Sequence, residues 1–413
     1  MRRMFILGSI VLLLVACGQA NIVPATSSPA VQSAQNPYPT PVLATAIPTV
    51  ITATVTSVPT GIVPSPTLSH TQQIIPLELT LNPPSWGTWN LETITSITTS
   101  QPNLQLWGWS RDGTRLLYSQ DQTLRIMTVA SQDVAILAQN IQAAVWSPQD
   151  DQILAYVIHD TTRPQSAIST VWLYDSVAQS TTKIGELPLP PHSSLNIRWN
   201  LEQGLVLATD ARIIVLPPHA NGGIKTLFDD THPSSRPSMQ LSPNGHHAVL
   251  TKPTKQYPIR KHPIKLQWLT DGNVTAAISI TEEYPRIIWS QDSRYVAFND
   301  ATDTIVIADA NGFVRYKTNI TRSNQAPLAW SPDNQYFVYQ FNTSGQSPHN
   351  AYIAKLGEDG SIRLNEQSME RKGGAVLEVM WSPNNDYIAY TLLSHENPSN
   401  YGEFILTIRR IVR

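Results

Sequence analysis

Trp330-Ser331-Pro332-Asp333-Asn334-Gln335-Tyr336-Phe337-Val338-Tyr339 is a turn followed by an apolar strand, and the chain says it seven times. The other copies begin at Trp109, Trp146, Trp199, Leu241, Trp289 and Trp381, as in WSRDGTRLLY from Trp109 and WSPNNDYIAY from Trp381. The anchors lie 37, 53, 42, 48, 41 and 51 residues apart. A period of ~40–50 residues with short β-type segments marks a propeller, with one four-stranded blade per repeat.

Each repeat divides into four segments. In the fifth they are residues 284–289, 294–299, 304–309 and 313–318, parted by Asn/Asp/Gly turns such as Ala310-Asn311-Gly312. β-branched and aromatic residues alternate within them, and no helical period competes. The fold class is therefore all-β, a seven-bladed β-propeller whose strands run A to D from the axis outwards. The last repeat has three such segments (376–381, 387–393 and 404–411), while residues 89–94 form an unassigned strand ahead of the first anchor. That N-terminal strand is expected to close the last blade, because an open edge invites aggregation. Truncation to Leu81 is expected to be harmless and truncation to Pro102 disruptive.

Residues 76–413 make up this domain; what precedes them is different in kind. Arg2 and Arg3 precede an apolar run from Met4 to Ala16, too short at thirteen residues to span a membrane, where roughly 20 are needed. It reads as a signal peptide of residues 1–16. Its end, Leu14-Val15-Ala16-Cys17, resembles the lipobox of bacterial lipoproteins. That resemblance implies a lipid on Cys17, an extracytoplasmic place in the bacterial cell envelope and attachment to the membrane. Cys17 is the single cysteine, so no disulfide is available to the mature chain. Residues 17–75 are rich in Pro and Thr and hold no charged residue, a composition that predicts a disordered tether.

Several classes of residue invite a functional reading. Six anchor tryptophans share one repeat position and are expected to fill the wedges between blades. Trp86, Trp89, Trp107, Trp172 and Trp268 fall outside that position and are the candidate surface aromatics. The acidic residues of the turns (Asp112, Asp292, Asp333, with Asn244 and Asn384 in other copies) are expected to bond backbone N–H groups two residues on. The repeat resembles the WD40-like PD40 repeat of the TolB family of periplasmic propellers, whose core phrase is W-S-P-D-G before an apolar strand. The resemblance covers residues 107–413. TolB proteins also carry an N-terminal α/β domain; here the Pro/Thr segment stands in its place.

Net charge is −2, which predicts no general affinity for nucleic acid. The ten histidines show no metal-ligand spacing, no G-x-S-x-G motif occurs, and no cofactor is expected. One charge feature stands out. Between Asp230 and Asp271 there is no acidic residue, while Arg236, Lys252, Lys255, Arg260, Lys261 and Lys265 lie in that interval. Lys255, Arg260 and Lys261 sit in a predicted B–C loop and are candidate contacts for an anion or partner. B–C and D–A connections leave a blade at the same end, and the long irregular connections are expected to be of these two kinds. The reading is a monomeric binding scaffold for a protein or anionic envelope polymer, engaged on that face. Its alternative is a polysaccharide hydrolase or lyase with channel acids that the sequence does not identify.

Overall fold

The computed structural model describes residues 75–77, 84–100, 103–159, 168–188, 195–209, 212–217, 223–230, 238–253, 264–280, 285–300, 304–318, 325–341, 350–358, 360–365, 375–394 and 403–413. Their regular elements are all strands, arranged in seven antiparallel sheets that follow one another along the chain. Each anchor ends an innermost A strand, except that Trp199 is followed by Asn200 within its strand. Burial decides the order outwards. B strands are covered on both sides, as in Gly204–Ala208, where all five residues are buried. D strands meet solvent, as in Val134–Ala138, exposed over its first three residues.

The core lies between sheets rather than inside any one of them. Val249 and Leu266 of blade four, for example, pack on Val296, Phe298 and Val306 of blade five. Five anchor tryptophans are at most 7% exposed, Leu241 of the fourth copy is 2% exposed, and Trp199 is partly buried. Trp109, Trp289 and Trp330 donate their indole N–H groups to the carbonyls of Met380, Gln240 and Ile288 at 3.1–3.4 Å. Each acceptor immediately precedes the anchor of the preceding blade, so the indole both fills the wedge and fixes the blades' relative height.

Asn90–Thr99 closes the ring. It pairs antiparallel with Glu403–Val412, from Asn90 opposite Val412 to Thr99 opposite Phe404, and completes the four-stranded seventh sheet. The strand is longer than the 89–94 read from sequence, running through a bulge at Thr93–Thr95. A further strand, Ile75–Leu77, lies parallel to Val314–Thr318 as a fifth strand on blade five. Among the described residues regular pairing thus begins at Ile75, and truncation to Leu81 removes this strand. An edge position suits Pro76, which has no N–H to offer a ladder.

The A–B turns of five blades follow one pattern on one face. The serine after the anchor is their hub. In Ser290 the hydroxyl donates to Asp292 Oδ1 (2.7 Å) and accepts from the Tyr295 N–H (2.9 Å), while Asp292 Oδ1 also accepts from the Arg294 N–H (3.0 Å). The same bonds recur about Ser242, Ser331 and Ser382. All these serines are fully buried. The fifth turn position is left-handed in five copies, at Gly113, Gly245, Ser293, Asn334 and Asn385. The turns also bond one another: Asn244 N donates to Ser293 Oγ, and Asn384 Nδ2 to the Asp112 carbonyl. The carboxylates are therefore spent on the scaffold, as expected from the sequence.

These bonds carry a pH dependence. Burial pushes Asp112 and Asp292 upwards, but hydrogen bonds from serine and backbone and the charge of Arg115 or Arg294 outweigh it, leaving both below the usual 3.8. A carboxylate depressed in the folded state stabilises above its unfolded pKa, and that contribution is lost as pH falls through the folded value. Urea midpoints should therefore fall as pH is lowered from 3.8, and Asp292→Asn should flatten the profile. An unchanged profile in that variant would refute the assignment.

Candidate functional site

Cys17, Lys255, Arg260 and Lys261 lie outside the described residues. Of the six cations in the basic interval, Lys252 and Lys265 are described, and they face each other where strands His247–Pro253 and Ile264–Thr270 begin their ladder. The connection between those strands spans ten residues, and its B–C character agrees with the sequence reading. Lys252 Nζ is paired with Asp230 Oδ2 of blade three at 2.6 Å, which neutralises one charge of the cluster. His246 and His247 diverge: His246 Nδ1 meets Asp271 Oδ1 at 3.0 Å, whereas His247 stacks on Trp289.

The two faces differ in the lengths of their connections. A–B links span five residues in blades one, four, five, six and seven. B–C links span eight residues at 160–167, 342–349 and 395–402 and ten at 254–263, and the longest D–A link, 364–374, spans eleven. The sequence reading did not single out 364–374. The exception is a C–D link, 217–224, eight residues long on the turn face.

The candidate aromatics divide. Trp268 is fully buried and belongs to the core between blades four and five, which corrects its reading as a surface residue. Trp172 is half-buried against the blade-two core. Trp86 and Trp89 pack edge-on against each other and against Tyr336, with Arg413 over the Trp89 ring at 4.9 Å. Trp107 lines the central channel.

That channel is the site the sequence did not reveal. Its upper part, at the start of the A strands and so toward the B–C/D–A face, is a cavity of about 660 Å³. Its lower part, about 340 Å³, shares Trp107, Arg198, Gln240 and Met380 with it. Gln105, Gln142, Asn196, Ser238, Arg286 and Glu378 make the upper part polar. Below them, the residue just before the anchor is small or apolar in five blades: Gly108, Val145, Ile288, Ala329 and Met380. Gln240 and Arg198 break that ring. In this column of seven copies Arg198 is the single charged residue, a signal that alignment of the anchors would have exposed.

The three charges are held differently. Glu378 is raised above 4.5, chiefly by burial, although its Oε2 accepts the Leu106 N–H at 2.8 Å and Arg286 lies nearby. Arg286 reaches from blade five to donate to the Leu377 carbonyl of blade seven, and burial lowers it against the pull of Glu378. Arg198 donates to the Ile197 carbonyl at 2.7 Å and is lowered to about 10 by burial alone. Asn196 Nδ2 donates to Gln240 Oε1 at 3.1 Å, leaving Asn196 Oδ1 buried without a donor. Glu378 is the one carboxylate among the described residues lining the channel. No group of His, Cys, Asp and Glu able to hold a metal occurs among the described residues.

Solved structures resemble this chain in fold. The β-propeller domain of Myceliophteria thermophila Cps50 (Swd1) matches with a TM-score of 0.52 at 13% identity, covering 76% of this chain and 98% of that one. A chain of the Mitotic Checkpoint Complex matches with a TM-score of 0.53 at 14% identity, covering 85% and 100%. No family model and no curated relative matches the sequence. The chain is a seven-bladed, WD40-like β-propeller, an architecture often used as a scaffold for protein interaction.

Proposed function

We propose that this chain is a lipid-anchored, extracytoplasmic protein of the bacterial cell envelope whose propeller binds a protein or an anionic envelope polymer through its B–C/D–A face. The observation that carries the reading is the contrast between faces. The A–B turns are alike, buried at their serines and bonded to one another, so they are committed to holding the ring. Long dissimilar connections on a rigid frame are where recognition usually resides. The basic B–C loop with Lys255, Arg260 and Lys261 belongs to that second group. Propellers that occur within complexes, and the TolB-type phrase of the repeats, support binding and an envelope location respectively.

The test compares charge reversals on the two faces. Arg294 and Arg315 of the turn face are ion-paired with Asp292 and Asp309, so reversing them sets like charges together. Arg111 and Arg410 are exposed and are the better controls. Reversal of Lys255, Arg260 and Lys261 should lower capture of crosslinked partner from intact envelopes by on the order of tenfold, and added salt should do the same. Equal losses from both sets would refute the choice of face. The anchor is tested separately: Cys17→Ser should move the folded protein from the membrane pellet to the soluble fraction. Retention in a salt-washed pellet would overturn it.

A further inference from the structure

We propose that the central channel binds a small hydroxylated carboxylate, of the sugar-acid class, with Arg198 taking the carboxylate. This site is separate from the loop face. Its 660 Å³ lies within the range of roughly 300–1,000 Å³ typical of small-molecule pockets.

A guanidinium placed in a ring of Gly108, Val145, Ile288, Ala329 and Met380 gives up hydration, and an uncompensated buried charge is expensive. Among the described residues Arg198 gains a backbone carbonyl in return, and burial is the one influence on its proton affinity. Arg286, by contrast, is tied to Leu377 and neighbours Glu378. Among the described residues lining the channel, Arg286 therefore has Glu378 beside it and Arg198 has no carboxylate, a balance suited to a monoanion.

The remaining lining groups choose among monoanions. Asn196 Oδ1 lacks a donor, and a ligand hydroxyl supplies one. Gln105, Ser238 and the free edge of Gln240 offer both donors and acceptors beside it. Inorganic phosphate at neutral pH is a mixture of monoanion and dianion, and the dianion carries one charge more than Arg198 offsets, has a single hydroxyl to donate and would meet Glu378. A neutral sugar would satisfy the amides and leave Arg198 uncompensated. A sugar acid meets both demands, and its carboxylate can accept the planar guanidinium fork in two parallel bonds.

The experiment uses the full chain with glucuronate, glucose and inorganic phosphate as probes, read by calorimetry and by the fluorescence of channel-lining Trp107. Glucuronate should bind saturably, glucose at least about tenfold more weakly, and phosphate should not compete. Arg198→Gln should weaken glucuronate at least about tenfold, with partial recovery in Arg198→Lys. Arg198→Met should also lose binding while its thermal midpoint holds or rises, since a side chain like that of Met380 removes a buried charge. A fall in affinity with an intact midpoint separates recognition from misfolding. Absence of glucuronate binding, equal binding of glucose, competition by phosphate, or undiminished affinity in a folded Arg198→Gln would each overturn the proposal. The wild-type comparison of glucuronate with glucose decides the matter even if a variant does not fold.

Discussion

A chain beginning at Pro102 is expected to lose cooperative unfolding altogether, because it lacks the strand that joins the two ends of the ring. Asn90–Thr99 supplies nine paired positions to Glu403–Val412. It also brings Leu91 into the core between blades six and seven, and Ile94 and Ile97 against the core between blades seven and one. Fully burying such a side chain contributes about 1.5–3 kcal/mol. Leu91 is buried and Ile94 and Ile97 partly so, and with the ladder their loss is a large fraction of the stability of a typical domain, about 5–15 kcal/mol. The loss does not stay local. Without its fourth strand, blade seven presents Glu403–Val412 as a bare edge, and Trp89 no longer meets Trp381. Truncation to Leu81 removes Ile75–Leu77 but spares the closing strand, so its transition should stay sharp with a small shift in midpoint. Coincident transitions by near-UV and far-UV circular dichroism distinguish the two chains. A sharp, coincident transition in the chain from Pro102 would refute the closing role.

Closure was legible because the last repeat ran out of sequence one strand early and residues 89–94 had no blade of their own. The turn face was legible for a similar reason: Ser-Pro-Asp-Asn at Ser331–Asn334 is a local device, and its bonds join residues two to five apart. What stayed hidden depends on contacts made across the ring. Arg198, Arg286 and Glu378 come from blades three, five and seven, 180 residues apart from first to last. Each looks like an ordinary polar residue in an alternating strand until the A strands are set side by side. The pairing of Ile75–Leu77 with Val314–Thr318 was hidden too, since a three-residue segment beside a Pro/Thr-rich stretch has no period to read.

Trp268→Ala is expected to cost about 3–5 kcal/mol, the usual range for emptying a buried tryptophan site. Trp172→Ala, half-buried, should cost clearly less. Trp268 escaped the sequence reading because it is not an anchor, yet it does occupy a repeat position. It pairs with Val249, the third residue of its B strand; in the same register Leu117, Ala155, Ala297, Val338 and Ala389 pair with Ile126, Leu173, Ile307, Ile353 and Ile408. The column is aliphatic in those five blades and aromatic in the fourth. Blade five is shaped to receive the indole. Phe298 meets it edge-on with ring centroids 6.1 Å apart, and Gly312, at φ +86°, leaves no room for a Cβ, which would lie 3.1 Å from Trp268 Cδ2 and 2.9 Å from Ala276 Cβ. Trp268→Ile, which restores the residue found elsewhere in the column, should therefore still destabilise by roughly 2–4 kcal/mol through the cavity it leaves. Gly312→Ala should cost in the wild type for two reasons, the left-handed backbone and the crowded ring. In the Trp268→Ile background part of the crowding is gone and the backbone cost remains. The two changes should then couple, the double variant being more stable than the sum of the singles predicts by about 0.5–2 kcal/mol in urea unfolding. Strict additivity would mean that Gly312 is kept for its backbone alone and that the indole does not set the spacing of blades four and five.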